Sequence, residues 1–193
     1  MVTKGLDFEN VTLAGVLAAD LSLYVDHYRA AERTFSLLTQ VVGRAGRGDK
    51  AGRAVIQTFT PDSEVIQAAA RQDYEAFYES ELRMRRIRRY PPFADLFTFT
   101  VSGPDEAAVL RSCMALRDSL RQAADSPELR EFQPEVLGPA PAPVVKVDNR
   151  YRYRCILVGR NDRATRNWVS WLLKSFRREN RYMNVFVDCN GME

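Results

Sequence analysis

Hydrophobic positions along the chain fall into two regimes that meet near residue 90. In the first, Val11-Thr12-Leu13-Ala14-Gly15-Val16-Leu17 is a nearly unbroken apolar run, which predicts a strand in a sheet covered on both faces. Only one further strand candidate lies nearby, Arg53 to Thr58. Between them, Glu32, Phe35, Leu37, Leu38, Val41 and Val42 recur at helical spacing. The pattern turns helical again after Pro61, with Asp62 or Ser63 as the N-cap and Val65, Ile66, Ala69 and Ala70 as the first buried face. A second helical run, Asp73 to Ile87, carries Tyr74, Phe77, Tyr78, Leu82 and Met84 and ends in Arg83, Arg85, Arg86, Arg88 and Arg89. Pro91 forces Tyr90 out of helical geometry and Pro92 keeps the chain extended, which puts a domain boundary near residue 90.

The second regime predicts strand Phe93–Ser102, helix Asp105–Ala124, strand Glu135–Val147, strand Tyr151–Val158, helix Asp162–Phe176 and strand Tyr182–Asp188. That βαββαβ order defines a split βαβ, ferredoxin-like sheet with two helices on one face. Its middle hairpin turns through Asp148-Asn149, and the prolines at 139, 141 and 143 place the first hairpin arm, irregular, at an edge. The expected organisation is α/β plus α+β. Residues 1–59 form the tail of a larger α/β lobe, residues 60–90 a helical linker, and residues 91–193 a separate C-terminal domain. A strand such as Val11–Leu17 without neighbours predicts self-association through its exposed edge, as a dimer or by swapping.

Composition narrows the function classes. With 193 residues, 46% hydrophobic and 27% charged, the chain buries a core of one or two domains. The net charge of +3 is mild, but only Lys4, Lys50, Lys146 and Lys174 among the 28 basic residues are lysine. Arginine favours paired hydrogen bonds and stacking over point-charge attraction, so a polyanionic partner is allowed without being demanded. No run of 18 apolar residues occurs and no signal-type segment follows Met1, which argues against membrane and secretion and for a cytoplasmic location. Cys113, Cys155 and Cys189 are scattered, which excludes a zinc knuckle, argues against a disulfide framework and fits a reducing compartment.

The chemistry is concentrated at Gln40-Val41-Val42-Gly43-Arg44-Ala45-Gly46-Arg47-Gly48, directly after the apolar helix. Glycines at 43, 46 and 48 permit turns closed to other residues and leave Arg44 and Arg47 projecting from a tight corner. Two forked guanidiniums held this way suit a polyphosphate. The alternative is ordinary capping, with glycine after a helix and arginine complementing its dipole. Two decoys fail. Gly43 to Gly48 has the spacing of a phosphate-binding loop, but Asp49-Lys50 follows in place of Lys and then Ser or Thr. Asp105-Glu106-Ala107-Ala108 has the look of a magnesium-holding acidic box, but it opens a helix, where acids are the expected first turn. His27 has no ligand or catalytic partner in sight and reads as a loop residue. The arginines at the end of the second helical run suit a solvated helix end or DNA backbone.

In Arg150-Tyr151-Arg152-Tyr153-Arg154, strand alternation puts the arginines on one face and the tyrosines on the other. An arginine stripe at a sheet edge suits duplex phosphate, and tyrosine stacks on an exposed base if the faces are reversed. The alternative is an edge strand protected from aggregation by charge.

Thr3-Lys4-Gly5-Leu6-Asp7-Phe8, the run Val11 to Leu17 and the corner Gln40 to Gly48 resemble, in order, motifs V and VI of superfamily 2 helicases. Ala30-Ala31-Glu32-Arg33, Tyr90-Pro91-Pro92-Phe93, Leu137-Gly138-Pro139-Ala140-Pro141-Ala142-Pro143 and the arginine-tyrosine strand extend the resemblance over the whole chain, to the PriA family of primosomal replication-restart helicases. The resemblance implies the last part of a RecA-like lobe, with Arg47 as an arginine finger, Arg44 as a second phosphate contact and Gln40 as a polar link at the nucleotide. It also places Asp7 on the nucleotide side of the cleft and Thr3, Lys4 and Gly5 on the translocated strand, although Asp7 and Gly5 equally suit a turn. It implies ATP, Mg2+ and structural Zn2+ for a parent 3′ to 5′ DNA helicase, and no cofactor or turnover for this chain, which lacks the nucleotide-binding loop and acidic box. In its C-terminal domain it implies binding of branched and single-stranded DNA through Arg150, Arg152, Arg154, Tyr151 and Tyr153. It further implies docking of the acidic tail of single-strand DNA-binding protein on Arg163, Asn167 and Arg166, alongside other primosome proteins. The rival is a purely non-catalytic DNA-binding and protein-docking module; an unrelated α/β domain with chance motifs is the third reading.

Overall fold

The computed structural model describes residues 12–45, 52–126, 132–180 and 182–191. They form two compact units that divide between Ile87 and Arg88, each with its own buried core. The chain is a mixed α/β protein with helices and two small sheets.

In the first unit β1 (Leu13–Val16) pairs in parallel with β2 (Arg53–Ile56), and α1 (Ala30–Val42) makes the crossover between them. A parallel pair requires such a crossover. A 3-10 turn, Ala19–Ser22, follows β1, and α2 (Glu64–Arg71) and α3 (Tyr74–Arg88) follow β2. Phe35 of α1 stacks on Phe77 of α3 at a centroid distance of 4.1 Å, and Ala19, Leu38, Ile66, Ala68 and Ala69 close the core around them.

The apolar run in β1 is not covered on both faces. Burial alternates along both strands: Val16 and Ile56 pack on the core, whereas Leu13 is 63% and Val55 48% exposed. Paired residues of a parallel ribbon share a face, so packing on one side leaves the other open. The helical faces also differ in detail from the sequence pattern. Ala68 is buried in place of Ala70 on α2, and on α3 only Phe77 is buried, while Tyr74, Tyr78 and Met84 are exposed. After α3 the chain makes a turn, closed by Phe93 N donating to Tyr90 O at 2.9 Å, where the prolines alone predict extension.

In the second unit the elements run β3 (Asp95–Gly103), α4 (Glu106–Ala124), β4 (Glu135–Val147), β5 (Arg150–Gly159), α5 (Arg163–Glu179) and β6 (Asn184–Cys189). The sheet order is β4-β5-β3-β6 with every neighbouring pair antiparallel. Both helices start on aspartate N-caps: Asp105 Oδ1 accepts from Ala108 N at 2.7 Å and Asp162 Oδ1 from Thr165 N at 2.8 Å. The bond from Thr165 N holds the Asp162 carboxyl below its usual range. The Asp105 bond also accounts for the apparent acidic box as helix capping.

Phe97, Phe99 and Val101 of β3, Cys155 and Leu157 of β5 and Val185 of β6 pack against Val109, Cys113, Leu116 and Leu120 of α4 and Val169, Leu172 and Phe176 of α5. Each valine, leucine and phenylalanine among them contributes roughly 1.5–3 kcal/mol on burial. The hairpin β4-β5 turns through Asp148 and Asn149 at φ +49° and +59°, the pair of left-handed residues that matches strand twist. Strand β4 is an edge and is broken by two register shifts, between Leu137 and Ala140 and between Pro141 and Lys146.

Two of the scattered cysteines are neighbours in space. Cys113 of α4 and Cys155 of β5 lie with sulfurs 3.4 Å apart, both as fully buried free thiols. The hydrogen bond to Cys155, reinforced by burial, holds the Cys113 thiol above its ordinary value, so it stays protonated. Burial, with Asp95 and Asp188 nearby, pushes the Cys189 thiol up to about 11.

Candidate nucleic-acid interface

Strand β5 is interior, between β4 and β3, and not an edge. Its alternation nevertheless divides the arginines from the tyrosines. Tyr151 and Tyr153 pack against the core on the face that carries the helices, together with Cys155 and Leu157. The Tyr153 hydroxyl donates to Glu106 Oε1 at 2.9 Å, which raises its pKa, and Lys146 Nζ sits 4.7 Å from the Tyr151 ring centroid. Both tyrosines are thus engaged within the protein, on the face opposite the arginines.

Arg150, Arg152 and Arg154 point the other way, each half-buried. Residues paired across antiparallel strands share a face, which fixes their surroundings. Arg154 stands opposite Thr100 and Ala140, Arg152 opposite Ser102, and Arg150 opposite Val147. On the far side of β3, Thr100 faces Phe186 and Ser102 faces Asn184. Phe186 is 48% exposed. One sheet face therefore carries a column of three arginines with an exposed aromatic ring two strands away, about 10 Å at ordinary strand spacing.

The arginines are not equivalent. Arg150 donates to Ser102 O at 2.9 Å and to Tyr182 O at 3.5 Å and so ties strand ends together, while the Arg152 side chain makes no hydrogen bond or ion pair among the described residues. Phe186 escapes a reading of the sequence that looks only for basic and aromatic residues in one stretch. Its signal is the alternation Val185-Phe186-Val187, in which two valines enter the core and the ring between them does not.

Arg163, Arg166 and Asn167 are exposed in the first two turns of α5. Arg166 is committed locally: its guanidinium donates to Asn161 O and Asn161 Oδ1, both at 3.0 Å.

In the first unit, α1 ends at Val42, and Gly43 N donates to Thr39 O at 2.9 Å. Gly43 sits at φ −68°, so it supplies no left-handed turn. A Cβ there would lie 3.2 Å from Thr39 O and 3.3 Å from Gln72 Nε2, so close approach of the C-cap of α2 is what the glycine permits. Arg44 and Ala45 continue the last turn through bonds to Val41 O and Val42 O. Gln40 is exposed and donates to Ser36 Oγ at 3.3 Å. Arg47, like Thr3, Lys4, Gly5 and Asp7, lies outside the described residues.

Two of the arginines at the end of α3 are structural. Arg85 donates to Glu81 at 2.7 Å and to Glu32 at 2.9 Å and lies over the Tyr28 ring, joining α3 to α1. Arg89 donates to Phe132 O and Gln133 O. His27 is a loop residue whose Nδ1 accepts from Arg29 N at 3.0 Å. Among the described residues no group of three or more His, Cys, Asp or Glu is placed to hold a metal ion, and no helix is long and apolar enough to cross a membrane.

The second unit thus carries a basic strand on one face of a small antiparallel sheet whose other face is covered by two helices. Residues 86–192 match the model of the primosomal protein N C-terminal domain, and the chain belongs to that PriA family. It is 39% identical to the replication restart protein PriA of Bacillus subtilis over 98% of this chain and 23% of that protein. It is 41% identical to the Synechocystis protein of that name over 81% of this chain and 18% of the relative, and 37% identical to the one from Rickettsia conorii over 82% and 23%. The chain thus spans less than a quarter of the length of these relatives.

Proposed function

We propose that this chain is a non-catalytic DNA-binding and protein-docking module within a replication-restart protein. The observation that carries it is the column Arg150, Arg152 and Arg154 on the sheet face opposite the helices, with Phe186 exposed beside it. Arginines at alternate positions of a strand lie about 6.5–7 Å apart, close to the spacing of successive phosphates. An aromatic ring within reach suits a base splayed from a branched or single-stranded substrate.

The second unit is read as a ferredoxin-like, split βαβ domain, supported by its strand order. The βαβ arrangement of β1, α1 and β2 suits the last part of a RecA-like lobe, with residues 60–90 as the helical connection. In the whole protein, an ATP-dependent 3′ to 5′ helicase with Mg2+ and structural Zn2+ elsewhere, Gln40, Arg44 and Arg47 then serve the nucleotide phosphates. Asp7 serves the same cleft, and Thr3, Lys4 and Gly5 the DNA strand. A positioned arginine contributes about 10³ to 10⁵ in rate in phosphoryl-transfer systems. Arg163 and Asn167, with Arg166 as support, take the acidic tail of single-strand DNA-binding protein, and other primosome proteins share the module. Among the described residues the β1-β2 sheet has two strands, and its edges offer self-association, which sedimentation of the full chain across concentrations tests.

Fluorescence anisotropy of forked, duplex and single-stranded oligonucleotides over a salt series tests the main reading. The full chain binds with a clear salt slope, and the double variant Arg152→Ala, Arg154→Ala loses both affinity and slope. Binding unchanged in the double variant would move the interface off β5.

A further inference from the structure

We propose that the open edge of β6 pairs with the same strand of a second copy of this chain, antiparallel and centred on Phe186, and that Arg177 holds this pairing in check. The two edges of the second unit's sheet differ in build. Strand β4 carries Pro139, Pro141, Pro143 and Lys146 and two register shifts, devices that keep a foreign strand from adding to an edge. Strand β6 reads Asn184-Val185-Phe186-Val187-Asp188-Cys189, with no proline, no lysine and no register shift. Among the described residues it is the last strand of its sheet.

The register fixes which backbone groups face outward. Asn190 N donates to Leu96 O at 2.8 Å, so the even-numbered residues of β6 bond inward to β3. Val185 and Val187 therefore turn their N–H and C=O groups to the open edge. One of these groups is occupied: the Arg177 guanidinium of α5 donates to Val185 O at 3.0 Å. The backbone of Val187 makes no hydrogen bond on that side among the described residues. An arginine laid over one carbonyl is a removable cover, whereas the prolines of β4 are permanent.

The sequence of β6 selects the partner, because it is complementary to itself. Turned antiparallel about Phe186, Val185 of one copy stands opposite Val187 of the other, and these outward-facing residues exchange both backbone hydrogen bonds. Two-fold symmetry repeats the exchange on the other side of Phe186. Asn184 and Asp188, both exposed, then stand opposite each other, an amide donor against a carboxylate, and no like charges are set face to face. The two Phe186 rings, each 48% exposed in the single chain, meet at the closer, non-hydrogen-bonded position on the arginine face. The joined sheet carries two arginine columns about 24 Å apart at ordinary strand spacing. The pairing itself does not depend on the DNA-binding reading above.

Sedimentation velocity of the full chain without DNA, over a concentration series, is the test. Arg177→Ala is expected to associate about tenfold more tightly than wild type, since it frees one acceptor in each copy. In that background Asn184→Asp, which sets a carboxylate against Asp188 at both symmetric positions, weakens association about threefold or more, and Asn184→Lys strengthens it. Val187→Pro abolishes association while sparing the β3 ladder, because the N–H it removes faces outward. If Arg177→Ala is as monomeric as wild type at every concentration, the inference is overturned. Association indifferent to the Asn184 and Val187 variants runs through another surface, such as the β1-β2 sheet, and overturns it equally. If Arg177→Ala stays monomeric but binds an added alternating-valine peptide of unrelated sequence, the edge accepts other strands and the second copy is not its partner. Circular dichroism on each variant establishes that the fold is retained.

Discussion

The Thr58 hydroxyl donates to Asp20 Oδ1 at 2.5 Å, across 38 residues of chain. Thr60 donates to the same carboxylate from its hydroxyl and its backbone N–H, and Phe59 N donates to Oδ2 at 2.9 Å. Asp20 is only 3% exposed, and this cluster fixes the turn after β1 to the segment that leaves β2. The Thr58 and Thr60 hydrogen bonds hold its carboxyl well below the usual carboxylate range. A carboxylate with a depressed folded pKa stabilises fully above its unfolded value near about 3.9, and loses that contribution as pH falls toward the folded value. Asp20→Asn therefore lowers the urea midpoint of the first unit at neutral pH, and the gap to wild type narrows below about pH 4. Far-UV circular dichroism follows this change. Tryptophan emission does not, because Trp168 and Trp171 both belong to the second unit.

Phe35 and Phe77 are stacked with an interplanar angle of 8°, each 7% exposed, and join α3 to α1. Truncation leaves a cavity as well as lost transfer energy. Phe77→Ala is expected to cost about 3–5 kcal/mol in chemical denaturation. Phe77→Leu is expected to recover most of it, since the hole is then mostly filled. Equal losses for both variants would point to the ring stack itself as the source.

The second unit was more legible in the sequence than the first. Its strands alternate, its helices begin at Asp105 and Asp162, and Asp148-Asn149 sits where the hairpin turns, so local chemistry and global order agree. Alternation also separated the arginines of β5 from its tyrosines. It could not say which strands lie beside β5, and the presumed edge is an interior position because β3 pairs with it across the sheet. In the first unit the apolar run of β1 promised two covered faces, a promise that depends on packing partners and not on the run itself. Asp20, Arg85 and the Cys113–Cys155 contact left no local trace, because each is defined by a partner 38 to 53 residues away.

Gly138 is the one glycine of the second unit held at a positive φ, +98°, at the first register shift of β4. A Cβ there would lie 2.8 Å from Arg154 O, a backbone atom that cannot swing aside. Gly138→Ala is thus strained twice, by its dihedral and by this contact, and is expected to cost about 1–3 kcal/mol. Because the clash falls on the carbonyl of Arg154, DNA binding is expected to weaken along with stability. The measurement is a denaturation curve paired with anisotropy at a temperature where the variant is folded. Ala140→Gly, two residues on, serves as the control for loosening β4 without the clash.

Arg152 and Arg150 share a sheet face, yet their side chains are differently committed. Arg150 spends its guanidinium on Ser102 O and Tyr182 O, so Arg150→Ala removes structural hydrogen bonds along with charge. Arg152 has no such partner among the described residues, which makes it the cleaner probe of phosphate contact. If it neutralises one phosphate, Arg152→Ala lowers the slope of log K against log salt by about 1, roughly equally for all sequences, and leaves the denaturation midpoint almost unchanged. Phe186→Ala is expected to act differently: it weakens binding of single-stranded and forked DNA at every salt concentration, with little change in slope, because stacking releases no counterions. Comparing the two variants on forked and blunt duplex oligonucleotides separates these contributions. An unchanged slope for Arg152→Ala would remove this arginine from the interface, and an unchanged fork affinity for Phe186→Ala would leave the ring without a role in it.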